Sequence, residues 1–184
     1  MSKAKIKVYA FTSLDGYVSK LDGDMEWIRK FLESERCVDD LKSFSNSVEH
    51  ILISGAHYSN LREQEVYAFG EKPLLILVSH KPPSLNGDNV EYVFRRPDRR
   101  FDYPQIATEL KEKANGDIWL VGGDEMIGSL IENGLVDELT VNVLPLTLGN
   151  GRPLFSRNRL EQDWKLKEIE GYDNGALRMS YALK

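Results

Sequence analysis

Cysteine is almost absent from this 184-residue chain. Cys37 stands alone, so neither an intrachain disulfide nor a cysteine-built zinc site is available. Histidine is nearly as scarce, and His50, His57 and His80 lack the spacing of a metal site. Long apolar runs are missing too. The longest is the five residues Leu74-Leu75-Ile76-Leu77-Val78, where a membrane span needs about 20. The basic start at Lys3, Lys5 and Lys7 leads into an apolar stretch too short for a signal-peptide core. Positive charge is in deficit, with 24 Lys and Arg against 29 Asp and Glu, a net charge of −5 and a pI near 5.3. That balance excludes the basic footprint of a general nucleic-acid binder. These absences predict one soluble cytoplasmic domain that engages neither nucleic acid nor membrane.

Several catalytic signatures are also missing. No G-x-G-x-x-G and no P-loop is present, so neither the standard Rossmann fingerprint nor an NTPase is supported. G-x-S-x-G is absent, which leaves a standard esterase elbow without support.

What the chain does contain is an alternation of strand-like and helix-like apolar spacing. Ile6, Val8 and Ala10, with Tyr9 and Phe11, read as a buried strand ended by the turn Leu14-Asp15-Gly16. A helical region is expected from about 24 to 48, striped by Trp27, Ile28, Phe31 and Leu32. Ile51-Leu52-Ile53, Leu74–Val78, Val90–Phe94 and Ile118–Val121 read as further strands. Tyr103, Ile106, Ala107, Leu110 and Ala114 mark a helix ended by Gly116, and Met126, Ile127, Leu130 and Ile131 one closed by Gly134. Leu139, Val141 and Val143 alternate as a strand up to Pro145. Trp164–Tyr172 and Ala176–Leu183 flank Asp173-Asn174-Gly175, a hairpin signal. Short apolar strands separated by helices predict an α/β fold, its mostly parallel sheet covered on both faces.

Open parallel sheets bind ligands at the carboxyl ends of their strands. The sharpest junction of that kind is Val121-Gly122-Gly123-Asp124-Glu125-Met126. Two glycines permit close backbone approach, and the following helix offers free N–H groups to a pyrophosphate. The same residues also suit a plain tight turn with Asp124 capping the helix. Ser54-Gly55-Ala56-His57 repeats the pattern, with His57 either at a ligand or at the surface. Ser79-His80-Lys81 is either a terminal-phosphate holder or a basic loop end. Asp15 either presents its carboxylate to a pocket or forms an Asx-type turn. Residues 145–155, broken by Gly149-Asn150-Gly151, form a long connection of the kind that borders sites. Cys37 and the acids Glu33, Glu35, Asp39 and Asp40 read as packing and as a solvated helix face.

Taken together these segments resemble the dihydrofolate reductase-like superfamily. Within it they are most similar to stand-alone proteins related to the reductase domain of the bifunctional riboflavin-biosynthesis deaminase/reductase. The resemblance rests on Ser13-Leu14-Asp15-Gly16-Tyr17, Ile53-Ser54-Gly55, Trp119-Leu120-Val121-Gly122-Gly123, and Gly134–Leu139 through Pro145 to Pro153-Leu154-Phe155. It implies an eight-stranded, mostly parallel sheet with a C-terminal antiparallel hairpin, and a homodimer. It also implies NADPH, with NADH not excluded, as hydride donor to a pyrimidine- or pterin-like heterocycle. The pyrophosphate is then expected at Val121–Met126, the adenosine end between Ser54–His57 and Ser79–Lys81, and the nicotinamide beside Ala10. Asp15 is the expected catalytic residue, and Asp15, Trp27, Leu148 and Gly149 are the expected substrate contacts.

Two departures bear on the ligand. Relatives carry Gly-Arg-x-Thr-Tyr where this chain has Gly55-Ala56-His57-Tyr58-Ser59, so a bidentate partner for a 2′-phosphate is missing. Val121 replaces the glutamate that riboflavin-pathway reductases place before the double glycine. Two other readings follow. One is a nucleotide-binding module of the same fold that has lost turnover, the other an interaction protein using apolar residues of the terminal hairpin. The ligands of a cytidine-deaminase-type zinc site are missing, so reductase activity alone is expected.

Overall fold

The structure, a computed structural model, describes residues 4–64, 71–79, 89–95, 100–155 and 161–184, without the side chains of residues 60–64. The chain begins with β1 (Ile6–Ser13), β2 (Tyr17–Ser19), a 3-10 turn (Glu26–Ile28), α1 (Arg29–Leu32) and α2 (Glu35–Asn46). It continues through β3 (His50–Ser54), α3 (Gly55–Gln64), β4 (Leu74–Val78), β5 (Val90–Phe94), α4 (Tyr103–Lys113), β6 (Ile118–Val121) and α5 (Asp124–Glu132). It closes with β7 (Glu138–Leu144), β8 (Arg152–Pro153), β9 (Trp164–Gly171) and β10 (Leu177–Leu183). No helix among the described residues is long and apolar enough to cross a membrane.

Eight strands form one sheet in the order β5-β4-β3-β6-β1-β7-β10-β9, and β2 pairs with β8 in a small antiparallel ribbon. The first six strands of that order are parallel, while β10 and β9 add antiparallel pairs at one end. This is the expected mostly parallel sheet with its terminal hairpin. The hairpin loop is Asp173-Asn174-Gly175, since Tyr172 N–H donates to Ala176 O at 2.9 Å. Gly175 takes φ +82°, the left-handed residue that such three-residue loops require.

Alternation along β1 explains the two cores. Ile6 and Val8 face α4 and α5, where Leu120, Met126, Ile127 and Leu130 join them. Tyr9 and Phe11 face α2, with Phe31, Ile51, Ile53 and Trp119. Burying each such side chain contributes roughly 1.5–3 kcal/mol. The α2 side is aromatic: Phe11 meets Phe31 at 4.9 Å, Phe31 meets Tyr172 at 5.5 Å, and Phe44 meets Trp119 at 5.2 Å, all edge-on.

The helical region expected from about 24 to 48 is made of separate pieces. It splits into the 3-10 turn, α1 and α2, with a break at Glu33–Ser34, where Ser34 is extended (φ −83°, ψ 120°). The break lets Ile28 and Phe31 turn into the core while α2 presents Cys37 and Leu41 to it. Polar contacts tie α2 to the terminal hairpin. Tyr172 Oη donates to Asp40 Oδ2 at 2.5 Å, and Arg36 pairs with Glu170.

Candidate functional site

The carboxyl ends of β1, β3 and β6 lie side by side, so the loops leaving them open on one crevice. Ala10 and Phe11 of β1, Ser19 of β2, Met25, His57 of α3, and Val121 and Gly122 at the end of β6 are among its walls. Among the described residues no carboxylate lines it. Two of the three strand-end junctions singled out from the sequence therefore meet at one place.

His57 joins them. Its Nδ1 lies 2.7 Å from Ser54 Oγ, and a Cβ built on Gly123 would stand 3.3 Å from its Cε1. Burial lowers its pKa, as does the charge of Arg152, while Asp124 opposes them. The ring is consequently neutral at neutral pH and presents one donor and one acceptor.

Each glycine has its own local reason. A Cβ on Gly55 would stand 2.8 Å from Val78 Cγ1 and 3.2 Å from Leu77 O, so α3 begins tight against β4. A Cβ on Gly122 would run into the Met126 side chain, which is folded back over that glycine. Helix α5 is capped by Gly123 in extended backbone, with no side-chain capping bond. Asp124 therefore lies in the first turn and is not the cap, and Glu125 beside it is 3.6 Å from Arg100. The first turn of α5 and the Gly122-Gly123 backbone are the kind of helix entry that fits a pyrophosphate. The crevice itself encloses about 50 Å³. Ligand pockets run to roughly 300–1,000 Å³, so the crevice in this conformation is smaller than a ring-binding pocket.

Asp15, Leu148 and Gly149 are brought together, chiefly by bonds to one another. Asp15 Oδ1 accepts from Ser13 Oγ at 2.5 Å and from Leu148 N–H at 3.1 Å, and Oδ2 accepts from Gly149 N–H at 2.8 Å. The Ser13 hydroxyl and then these backbone donors hold the carboxyl below its usual range, although the side chain is exposed. Trp27 is packed in the α2-side core, 9% exposed, its Nε1 buried without a partner among the described residues. Ala56 and Ser79 are exposed at the ends of their elements. His80 and Lys81 fall outside the described residues.

Two site residues escaped the sequence reading. Asn142 is fully buried in β7, donates from Nδ2 to Ala10 O at 3.1 Å and accepts from Tyr9 Oη at 3.4 Å. It fixes the backbone of β1 at the crevice wall. The only signal was an amide between Val141 and Val143 in an alternating strand. Arg152 was missed as well. It is exposed, donates to Leu21 O at 3.3 Å and places its charge near His57.

Among known proteins, the chain is 26% identical over 179 residues to the uncharacterised protein YwjB of Bacillus subtilis (strain 168), covering 96% of this chain and 97% of that one. A Shewanella sp. PV-4 protein ascribed to riboflavin biosynthesis shares its fold at a TM-score of 0.78 and 19% identity, over 98% of this chain and 99% of that one. Dihydrofolate reductase of Enterococcus faecalis, solved with NADP(H) and RAB-propyl, superposes at a TM-score of 0.65 and 15% identity, over 99% of this chain and 98% of that one. The arrangement is thus the dihydrofolate reductase-like fold. The sequence model of the RibD C-terminal domain matches residues 4–177, nearly the whole length over which these strands and junctions are laid out. The chain belongs to the RibD C-terminal domain family.

Proposed function

We propose that the protein is a cytoplasmic reductase that uses a nicotinamide cofactor, NADPH in the first instance, on a pyrimidine- or pterin-like heterocycle. The observation that carries this reading is the meeting of two glycine-entered strand–helix junctions on one crevice beside β1. Family membership and the likeness to a fold solved elsewhere with NADP(H) support it.

A bound nicotinamide supplies the hydride, and the protein's task is to bind, orient and exclude water. Gly122, Gly123 and the first turn of α5 are assigned to the pyrophosphate, and Ser54, Gly55 and His57 to the adjoining part of the cofactor. Asn142 holds the Ala10 carbonyl in place, which sets the wall against which a ring would stack. Asp15 has both oxygens committed, so we assign it to holding the 145–151 loop beside the substrate. Val18, Phe11, Met25 and Leu154 keep the crevice apolar. Such surroundings strengthen any hydrogen bond made inside.

Nicotinamide fluorescence during titration of the purified chain with NADPH tests the reading. A saturable change is expected, followed by cofactor oxidation with one member of a panel of pterins, aminopyrimidines and ribitylamino compounds. Silence with both NADPH and NADH would overturn it. Saturable binding with no oxidation across the panel would favour the nucleotide-binding module, a reading motivated by the missing arginine after Gly55.

A further inference from the structure

Arg36, Arg100 and Arg178 each hold a carboxylate, Arg36 that of Glu170, Arg100 that of Glu125 at 3.6 Å, and Arg178 that of Glu170 at 2.6 Å. Arg152 holds none among the described residues, although acids outnumber bases by 29 to 24. Its side chain is exposed and donates to the Leu21 carbonyl at 3.3 Å. A guanidinium carries five N–H donors, so most of this fork is uncommitted among the described residues.

The β2–β8 ribbon sets where the fork stands. Arg152 pairs with Ser19, which lines the crevice, and lies two positions before Leu154, which lines it as well. Residues two apart in an extended segment leave it on the same side. A Cβ on Gly151 would collide with the Ser19 carbonyl, so the ribbon is drawn tight at the residue before Arg152. The arginine is thereby held at the crevice rim, where its charge reaches His57. His57 offers a second donor. Ser54 Oγ accepts the His57 backbone N–H at 3.5 Å, which leaves the hydroxyl proton for Nδ1, 2.7 Å away. With Nδ1 accepting, the neutral ring carries its proton on Nε2, a donor not spent on Ser54. Nε2 is bonded to Cε1, the ring atom nearest a Cβ built on Gly123, so this donor stands beside the double-glycine turn.

We propose that Arg152 and His57 together bind the diphosphate bridge of the nicotinamide cofactor, the guanidinium fork meeting a phosphate and Nε2–H donating to it. The assignment, which rests on the reductase reading, adds to it a residue and the group that residue takes. A guanidinium matches phosphate oxygens two at a time, and such charge-assisted bonds are stronger than neutral ones. No carboxylate among the described residues lines the crevice to compete for the fork. Three elements set the charge around the His57 ring. Arg152 of β8 lowers its pKa, Asp124 of α5 opposes that, and Ser54 at the end of β3 contributes a neutral hydroxyl. A bound diphosphate offsets the arginine and drives that pKa upward. Because NADH and NADPH share the diphosphate, Arg152 serves both alike and does not read the 2′-phosphate.

Dissociation constants for NADPH and NADH, taken from nicotinamide fluorescence on the full chain, test the assignment. Arg152→Ala should weaken both by the same factor, about tenfold or more. Arg152→Lys keeps the charge without the fork and should weaken both by less. The side chain is exposed, so without ligand Arg152→Ala should melt close to the wild type. Inorganic pyrophosphate gives a readout free of any nicotinamide. It should raise the pKa of His57, followed by imidazole proton resonances assigned against His57→Gln, and should raise it less in Arg152→Ala. A loss confined to NADPH would move Arg152 to the 2′-phosphate and overturn the proposal. Binding of both nucleotides indifferent to Arg152→Ala, or a His57 unmoved by pyrophosphate, would overturn it while leaving the reductase reading in place. A wild type silent towards both nucleotides would remove that reading and this assignment together.

Discussion

His57 sits half-buried between two strand ends, its pKa lowered by burial and by Arg152. The sign of the consequence is fixed by linkage. A folded-state pKa below the ordinary 6.5 means the unfolded chain takes up the proton first, so this group's contribution is intact above that value and is lost as pH falls below it. The wild type is therefore expected to lose more thermal stability between pH 7 and pH 5 than His57→Gln, in melts compared side by side. Asp15 works in the same pH direction but lower. Its carboxyl is held below the usual range, so the latch on Leu148 and Gly149 persists below the pH at which an ordinary carboxylate titrates, about 4. Asp15→Asn puts an NH₂ where one oxygen accepted a backbone N–H. Hydrogen exchange at Leu148 or Gly149 should then quicken, and unchanged protection at both would remove the latch from the account.

At the scale of elements, two glycines that look alike in sequence part company. A Cβ at Gly55 meets Leu77 backbone and the Val78 side chain, neither of which yields without moving β4. A Cβ at Gly122 meets only the end of Met126, a flexible side chain. Gly55→Ala should cost about 1–3 kcal/mol in denaturant unfolding. Gly122→Ala should leave the fold nearly as stable yet weaken NADPH binding, because the displaced methionine crowds the junction. Equal losses of stability would refute the distinction. The strands themselves were legible because burial on both faces makes short continuous apolar runs. The break at Glu33–Ser34 was not, since it follows from Phe31 packing on Phe11 and on Tyr172, whose ring comes from the far end of the chain.

For the whole molecule, a ligand that binds only the folded state raises stability by mass action. NADPH at about 100 times its dissociation constant should add about 2.7 kcal/mol, or about 5–10 °C of melting temperature for a domain of this size. The absence of any shift at saturating NADPH would count directly against the cofactor assignment.

The candidate site was half legible. Gly55, Gly122 and Gly123 stood out because strand, glycine and helix start follow one another within a few residues, and local order dictates a tight turn there. Asn142 was invisible, because only the parallel pairing of β7 with β1 brings its amide to Ala10, 132 residues away. Asp15 was visible as a residue but not as a latch, since Leu148 and Gly149 lie 133 and 134 positions further on. By itself the sequence determined element types, the parallel sheet and the terminal hairpin, all set by periodicity and backbone preference over short spans. Tertiary structure alone decided which polar groups are already spent on one another and that Met126 covers Gly122. Those facts depend on contacts between distant segments, which no local pattern encodes.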